Sequence, residues 1–250
     1  MKRLIASLIL FAPGAFAQER TQIAHFESGR FEKAISSFSD TNSADSLAFM
    51  ARTLLAKGMC GTEQPSTDLL NEAESYARKA IAIDSQHVEG QMQLAISLSL
   101  KARPLSTRAA MRTGYGDEAK ALAEAVLEID PNNTYAHGFM MVWNIEVVRR
   151  GGALGSRIMG ASVKKARKHY DQAIASSPDD ASIHWQYARA LAALNVKKYR
   201  GDIDSALKQA LSATPDDYVE RVMISRALEL NKLLDVLQTK QIEEWAENML

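Results

Sequence analysis

Five histidines, one cysteine and a crowded set of arginines are the side chains of this 250-residue chain that could do chemistry. His25, His87, His137, His169 and His184 are potential metal ligands, but none pairs with a second donor at a recognised zinc spacing, so no metal site is expected. A lone cysteine, Cys60, excludes an internal disulfide and a cysteine-cluster metal site, and leaves burial as a small hydrophobe as its expected fate. No nucleophile elbow or Walker loop is present, and Gly151, Gly152 and Gly155 lack the preceding strand that a dinucleotide fingerprint requires. Neither catalysis nor a cofactor is therefore expected.

The charges are more informative than any motif. Thirty basic and thirty acidic residues cancel overall, so the total gives no sign of a nucleic-acid partner. Their distribution is uneven: residues 101–115 hold four basic residues, 147–170 hold seven and 195–200 hold three, and none of these windows contains an acidic residue. Basic residues at helix ends and acidic ones at helix starts complement the helix dipoles, which accounts for part of the pattern. Planar guanidinium groups also pair with carboxylates and phosphates, so a basic edge made of Arg108, Arg112, Arg149, Arg150 and Arg157 is a candidate anion-binding surface. Aromatics are not interleaved with these arginines in the manner of a base-stacking platform, which argues against nucleic acid.

The chain opens with Lys2 and Arg3, an apolar run from Leu4 to Ala12 and the small-x-small sequence Ala15-Phe16-Ala17, the order of an export signal with cleavage before Gln18. The run is half of the roughly 20 residues that span a bilayer as a helix. The expectation is a signal peptide over 1–17 and a soluble exported chain, periplasmic in a Gram-negative cell.

Beyond it the sequence repeats. Ala73-x3-Ala77-x2-Ala80 runs to Asp84-Ser85, and Ala119-x3-Ala123-x2-Val126 runs to Asp130-Pro131. Ala166-x3-Tyr170-x2-Ala173 runs to Ser177-Pro178, and Ile203-x3-Leu207-x2-Ala210 runs to Thr214-Pro215. Steps of four and three put these residues on one helical face and permit close packing. Proline ends each helix, and Asn133, Asp180 and Asp217 are suited to cap the next one. The unit is a helical hairpin, and the expected class is all-α.

This pattern resembles the tetratricopeptide repeat over most of residues 20–230, with Gly29 to Phe38 matching a turn and second helix of a truncated first repeat. The resemblance implies antiparallel A and B helices stacked into a superhelical α-solenoid whose concave groove is lined by A helices. Spacings of 46 residues from Ser85 to Pro131 and 47 from Pro131 to Pro178 exceed the roughly 34 of a regular repeat. The excess falls between A and B, at residues 102–115 and 147–160, with a smaller insertion at 58–66. Leu230, Leu233, Leu234 and Leu237, followed by Ile242, Trp245 and Met249, predict a C-terminal capping helix over 231–250, leaving 18–230 as the repeat domain.

Carrying the family's ligand-facing positions onto the A helices gives Glu89, Met92, Ile96 and Ser99, then Tyr135, Gly138, Val142 and Ile145, then Ser182, Trp185, Arg189 and Ala192, then Val219, Val222, Arg226 and Glu229. Met92, Ile96, Tyr135, Val142, Trp185, Arg189 and Arg226 are the candidate groove contacts. Such a groove either holds an extended peptide or helix, or is covered by the insertions and becomes core. His137 and His184 stand at equivalent places in successive A helices, where they either meet across the groove or serve as half-buried polar residues. Two functions follow from the residues and the resemblance: an exported scaffold that binds an envelope protein or peptide through the groove and basic edge, or a carrier of a small anionic ligand. Gly155 to Ala166, Gly-x4-Gly-x3-Lys-x-Ala, is similar to the T-component proteins of tripartite substrate-binding transporters, which supports the second. Oligomerisation through the solenoid's ends is open to both.

Overall fold

The computed structural model describes residues 13–37 and 42–250, with side chains from Arg20 onward. Of the expected export signal, residues 1–12 lie outside the described residues and 13–17 form the start of the first helix; Phe38 also lies outside them. The described residues form helices and no strands.

Helices pack as successive antiparallel pairs. α1 (Pro13–Glu27) lies on the short α2 (Phe31–Ser36), α3 (Ala44–Cys60) on α4 (Thr67–Ile83), and α5 (Val88–Ala102) on α7 (Tyr115–Ile129), with α6 (Thr107–Thr113) between them. α8 (Thr134–Met159) pairs with α9 (Val163–Ser176). α10 (Ala181–Ser212) is a hairpin in itself, because Asn195 (φ −173°, ψ 101°) and Tyr199 break the helical run. α11 (Tyr218–Val236) and α12 (Thr239–Asn248) end the chain.

The alanine phrases do what their spacing predicts. Ala73, Ala77, Ala80, Ala119, Ala123, Ala166, Ala173, Ile203, Leu207 and Ala210 are all fully buried against the inner helices, where small side chains let the backbones approach. The expected caps form: the Asn133 side chain accepts from the Ala136 amide (3.0 Å), Asp180 from Ser182 (2.9 Å) and Ile183 (3.1 Å), and Asp217 from Glu220 (2.9 Å).

The two long insertions contain helix. Ser106 caps α6 by accepting from the Ala109 amide, and the 147–160 insertion prolongs α8 to Met159 past a kink at Gly152 (φ 57°, ψ −155°). Ala, Leu, Arg and Met favour helix enough to continue it once glycine has absorbed the turn.

The chain also closes on itself. Tyr218 of α11 stacks edge-on against Phe31 at 5.9 Å, and the Arg221 guanidinium donates to the Glu27 carbonyl (3.0 Å). α12 folds back across the inner face of α10, with Ile242 and Ala246 buried and Trp245 edge-on against Trp185 at 6.1 Å.

Candidate functional site

The inner helices α1, α3, α5, α8, α10 and α11 surround a cavity of about 480 Å³, to which each contributes side chains. Its walls are apolar: Phe26, Met92, Ile96, Phe139, Val142 and Met223 face it from four of these helices. The insertions complete it, through Ala110 and Met111 of α6 and Gly155, Ile158 and Met159 of the α8 tail. The groove is therefore neither an open trough nor packed core, but a bounded space roofed in part by the two long insertions.

Five of the expected groove residues line this space: Met92, Ile96, Tyr135, Val142 and Arg189. Trp185 and Arg226 are not among its lining residues. α12 lies on the face of α10 where Trp185 was expected to be open, leaving the indole with no exposure and its Nε1 donating to the Leu250 main-chain oxygen (3.1 Å). Arg226 donates to the same oxygen (2.7 Å) and to the Gly61 carbonyl (2.9 Å), so it ties the end of the described chain to the α3–α4 turn.

One end of the cavity holds a buried charge cluster. The Glu146 carboxylate accepts from Arg149 (2.8 Å) and lies 3.7 Å from the Arg189 guanidinium, while Arg149 also pairs with Glu247 (2.6 Å). Burial alone would push Glu146 up, but Arg189 and Arg149 outweigh it and hold the carboxyl below its usual range. Arg103 donates to the Glu247 and Met249 carbonyls; burial, with Arg189 and Arg149 nearby, lowers its pKa to about 9. Three arginines thus face two glutamates, and the surplus positive charge borders the cavity through Arg103 and Arg189.

The other end gathers the starts of the inner helices and is acidic, with Glu89, Asp180, Asp217 and Glu220 around Tyr135 and Arg52. Burial and the neighbouring aspartates raise Glu220 to about 7, although its carboxylate accepts from the Asp216 amide (2.7 Å).

The basic edge divides in two. Arg149 is taken up by the buried cluster, and Arg150 donates to the Ala102 and Leu105 carbonyls, where it caps the end of α5. Arg149 is held by the Glu146 and Glu247 carboxylates, and the open carbonyls at the end of α5 take up Arg150. Arg108, Arg112 and Arg157 remain exposed.

The histidines do not meet across the groove. His137 Nε2 donates to the Pro131 carbonyl (3.0 Å) and its Nδ1 faces His169 Nδ1 (3.0 Å); His184 Nε2 donates to the Pro178 carbonyl (2.8 Å) and its Nδ1 accepts from the Tyr170 hydroxyl (2.7 Å). Gln91 does the same one repeat earlier, donating to the Ser85 carbonyl (2.7 Å). In three repeats a polar side chain reaches back six residues to satisfy the inter-repeat turn, a structural role, and all three side chains are buried and not half-buried. Burial first, and His137 second, lower His169 to about 4. Cys60 is half-buried beside Phe26 and Phe31, and desolvation raises its thiol to about 11. Among the described residues no three His, Cys, Asp or Glu side chains cluster as metal ligands, and no helix is long and apolar enough to cross a membrane.

The sequence reading missed Glu146 and Glu220. Glu146 sits one residue past the last ligand-facing position taken on α8, and its lone negative charge ahead of Arg149 and Arg150 was a usable signal.

No family model and no curated protein matches the chain. Among solved structures it is similar to the crystal structure of a thermophilic TPR protein from Thermus thermophilus, with a TM-score of 0.58 and 22% identity over 86% of this chain and 98% of that one.

Proposed function

The fold is thus a TPR-like α-solenoid of paired helices, and from its interior we propose a non-catalytic binding protein that encloses the apolar part of a small anionic amphipathic ligand. The observation that carries this reading is the unfilled cavity at the centre of the inner helices. Its volume of about 480 Å³ falls within the range of roughly 300–1,000 Å³ typical of small-ligand sites. The surplus guanidinium charge from Arg103 and Arg189 suits an anionic head, and Met92, Ile96 and Val142 suit its apolar body. Similarity of Gly155 to Ala166 to transporter T-components supports the same reading. An export signal at 1–17, a repeat domain over 18–230 and a terminal helix over 231–250 would put the ligand in the cell envelope.

A second reading, a scaffold holding a peptide of an envelope protein, is favoured by the TPR-like fold. In it the cavity receives one or two apolar side chains of a partner. Native mass spectrometry of the gently purified chain separates the two. The carrier reading expects an extra mass of a few hundred daltons that is lost in both Ile96→Trp and Val142→Trp, which fill the cavity from half-buried wall positions. Bare protein, or a mass retained in both variants, overturns it; a stoichiometric second chain lost in the same variants supports the scaffold.

A further inference from the structure

α6 and the tail of α8 (residues 153–159) border the same cavity, and just ahead of the tail the Thr107 hydroxyl of α6 donates to the Arg150 carbonyl of α8 (3.4 Å). Both segments form cavity wall, and at the rim they leave large apolar side chains open: Met111, which is 67% exposed, and Ile158, 65%, border the cavity itself, and Leu154, 72%, stands beside them. Arg108, Arg112 and Arg157 are exposed among them, and none of the three side chains has a hydrogen bond or ion pair among the described residues. Leu154 and Ile158 stand four residues apart with Arg157 beside them, and Arg108 and Arg112 flank Met111 at the same spacing, so each segment presents apolar and cationic groups together.

We propose that this lip docks on an anionic lipid surface, and that the cavity exchanges its ligand there. The docking stands on the lip itself; the exchange rests on the carrier reading above. Large apolar side chains left this open at the rim of an apolar cavity mark a contact surface. Arginine pairs with lipid phosphates through two parallel hydrogen bonds, and basic residues beside apolar ones characterise segments that lie in the membrane interface. Residues 101–115 and 147–170 contain no acidic side chain to repel such a surface. A stable protein interface needs about 800 Å² from each partner with matching shape, whereas the lip consists of two short segments, seven residues in α6. A lipid surface needs no matching shape. Opening the cavity at that surface also spares an apolar ligand passage through water.

The test is co-sedimentation of the full chain with vesicles of phosphatidylglycerol and phosphatidylcholine in equal parts, and with phosphatidylcholine alone. Binding to the anionic vesicles is expected, weakened by added salt. At about fivefold for each arginine, Arg108→Gln/Arg112→Gln/Arg157→Gln should bind about 100-fold more weakly. Met111→Ser/Leu154→Ser/Ile158→Ser should lose binding as well, and both should keep the parent's helical circular dichroism. The apolar run at residues 4–12 is common to all forms, so the differences report the lip alone. No binding to anionic vesicles, or binding unchanged in both triple variants, overturns the docking. So does a stoichiometric protein partner that is lost in those variants while vesicle binding is absent. Vesicle binding without a bound small molecule keeps the docking and removes the exchange; a bound small molecule without vesicle binding keeps the carrier and removes the docking.

Discussion

Glu146 decides whether the arginine cluster is tolerable. It is the carboxylate that touches both Arg149 and Arg189, and Arg103 lies in the same field. In Glu146→Gln, Arg103 and Arg189 keep their carbonyl partners and Arg149 keeps Glu247, but the group loses the carboxylate that offsets its burial. Breaking one side of a buried ion pair costs about 3–5 kcal/mol, so the variant should unfold at markedly lower urea; unchanged stability would show that the remaining partners suffice. Glu220 makes a pH-dependent prediction of the opposite kind. Its folded pKa of about 7 lies above the ordinary carboxyl value of 4.5, so the native state holds a proton that the unfolded chain has released. Stability therefore falls as pH rises from about 4.5 to 7 and is level on either side. Thermal melts of Glu220→Gln should gain on the parent across that window, and a constant offset at all pH values would refute the shift. At this scale the sequence was partly legible. The offset of six from Ser85, Pro131 and Pro178 to Gln91, His137 and His184 was visible as a pattern, but the carbonyl it serves appears only once the turn is built.

The helices were legible because their signals are local: alanines at steps of four and three, prolines after them, and Asn133, Asp180 and Asp217 as caps. What helix α12 covers was not legible, because an apolar stripe says that a face is buried and not against what. Ile242, Trp245 and Met249 predicted a cap on an exposed end; α12 instead lies across the inner face of α10 and takes Trp185 out of the groove. Trp185→Ala should accordingly act as a core deletion, costing about 3–5 kcal/mol, and a variant that loses ligand at unchanged stability would restore Trp185 to the site. The α8 tail depends on one backbone position. Gly152 has φ 57° and ψ −155°, a region essentially reserved for glycine, and nothing lies near where its Cβ would be. Gly152→Ala should thus cost about 1–3 kcal/mol from strain and not from collision. If the tail re-forms as a straight continuation of α8 instead, protease cleavage within 153–159 should rise while overall stability holds.

At the scale of the whole molecule, what makes a cavity from a groove is closure, and closure rests on contacts more than 180 residues apart in sequence. Tyr218 packs on Phe31, Arg221 reaches the Glu27 carbonyl, and Gln64 donates to the Asn248 carbonyl (2.6 Å). Repeat spacing sets the hairpin, but the ends meet only after several small rotations accumulate, so no local motif announces the contact. Gly29 is where it can be tested. Its φ of +75° is costly for any other residue, and a Cβ there would lie 2.5 Å from the Tyr218 ring. Gly29→Ala should therefore part the α1–α2 hairpin from α11 and leave the other pairs packed, since each buries its own alanine face. Small-angle scattering should then show a larger radius of gyration with nearly unchanged helical content. Gly29→Ala/Tyr218→Ala, which removes the collision but keeps the positive φ, should recover part of the compaction. A compact Gly29→Ala protein would mean that closure is held by the bonds of α12 to Gln64 and Arg103 and of Arg226 to the Gly61 carbonyl, and would move the decisive contact away from the α1–α2 hairpin.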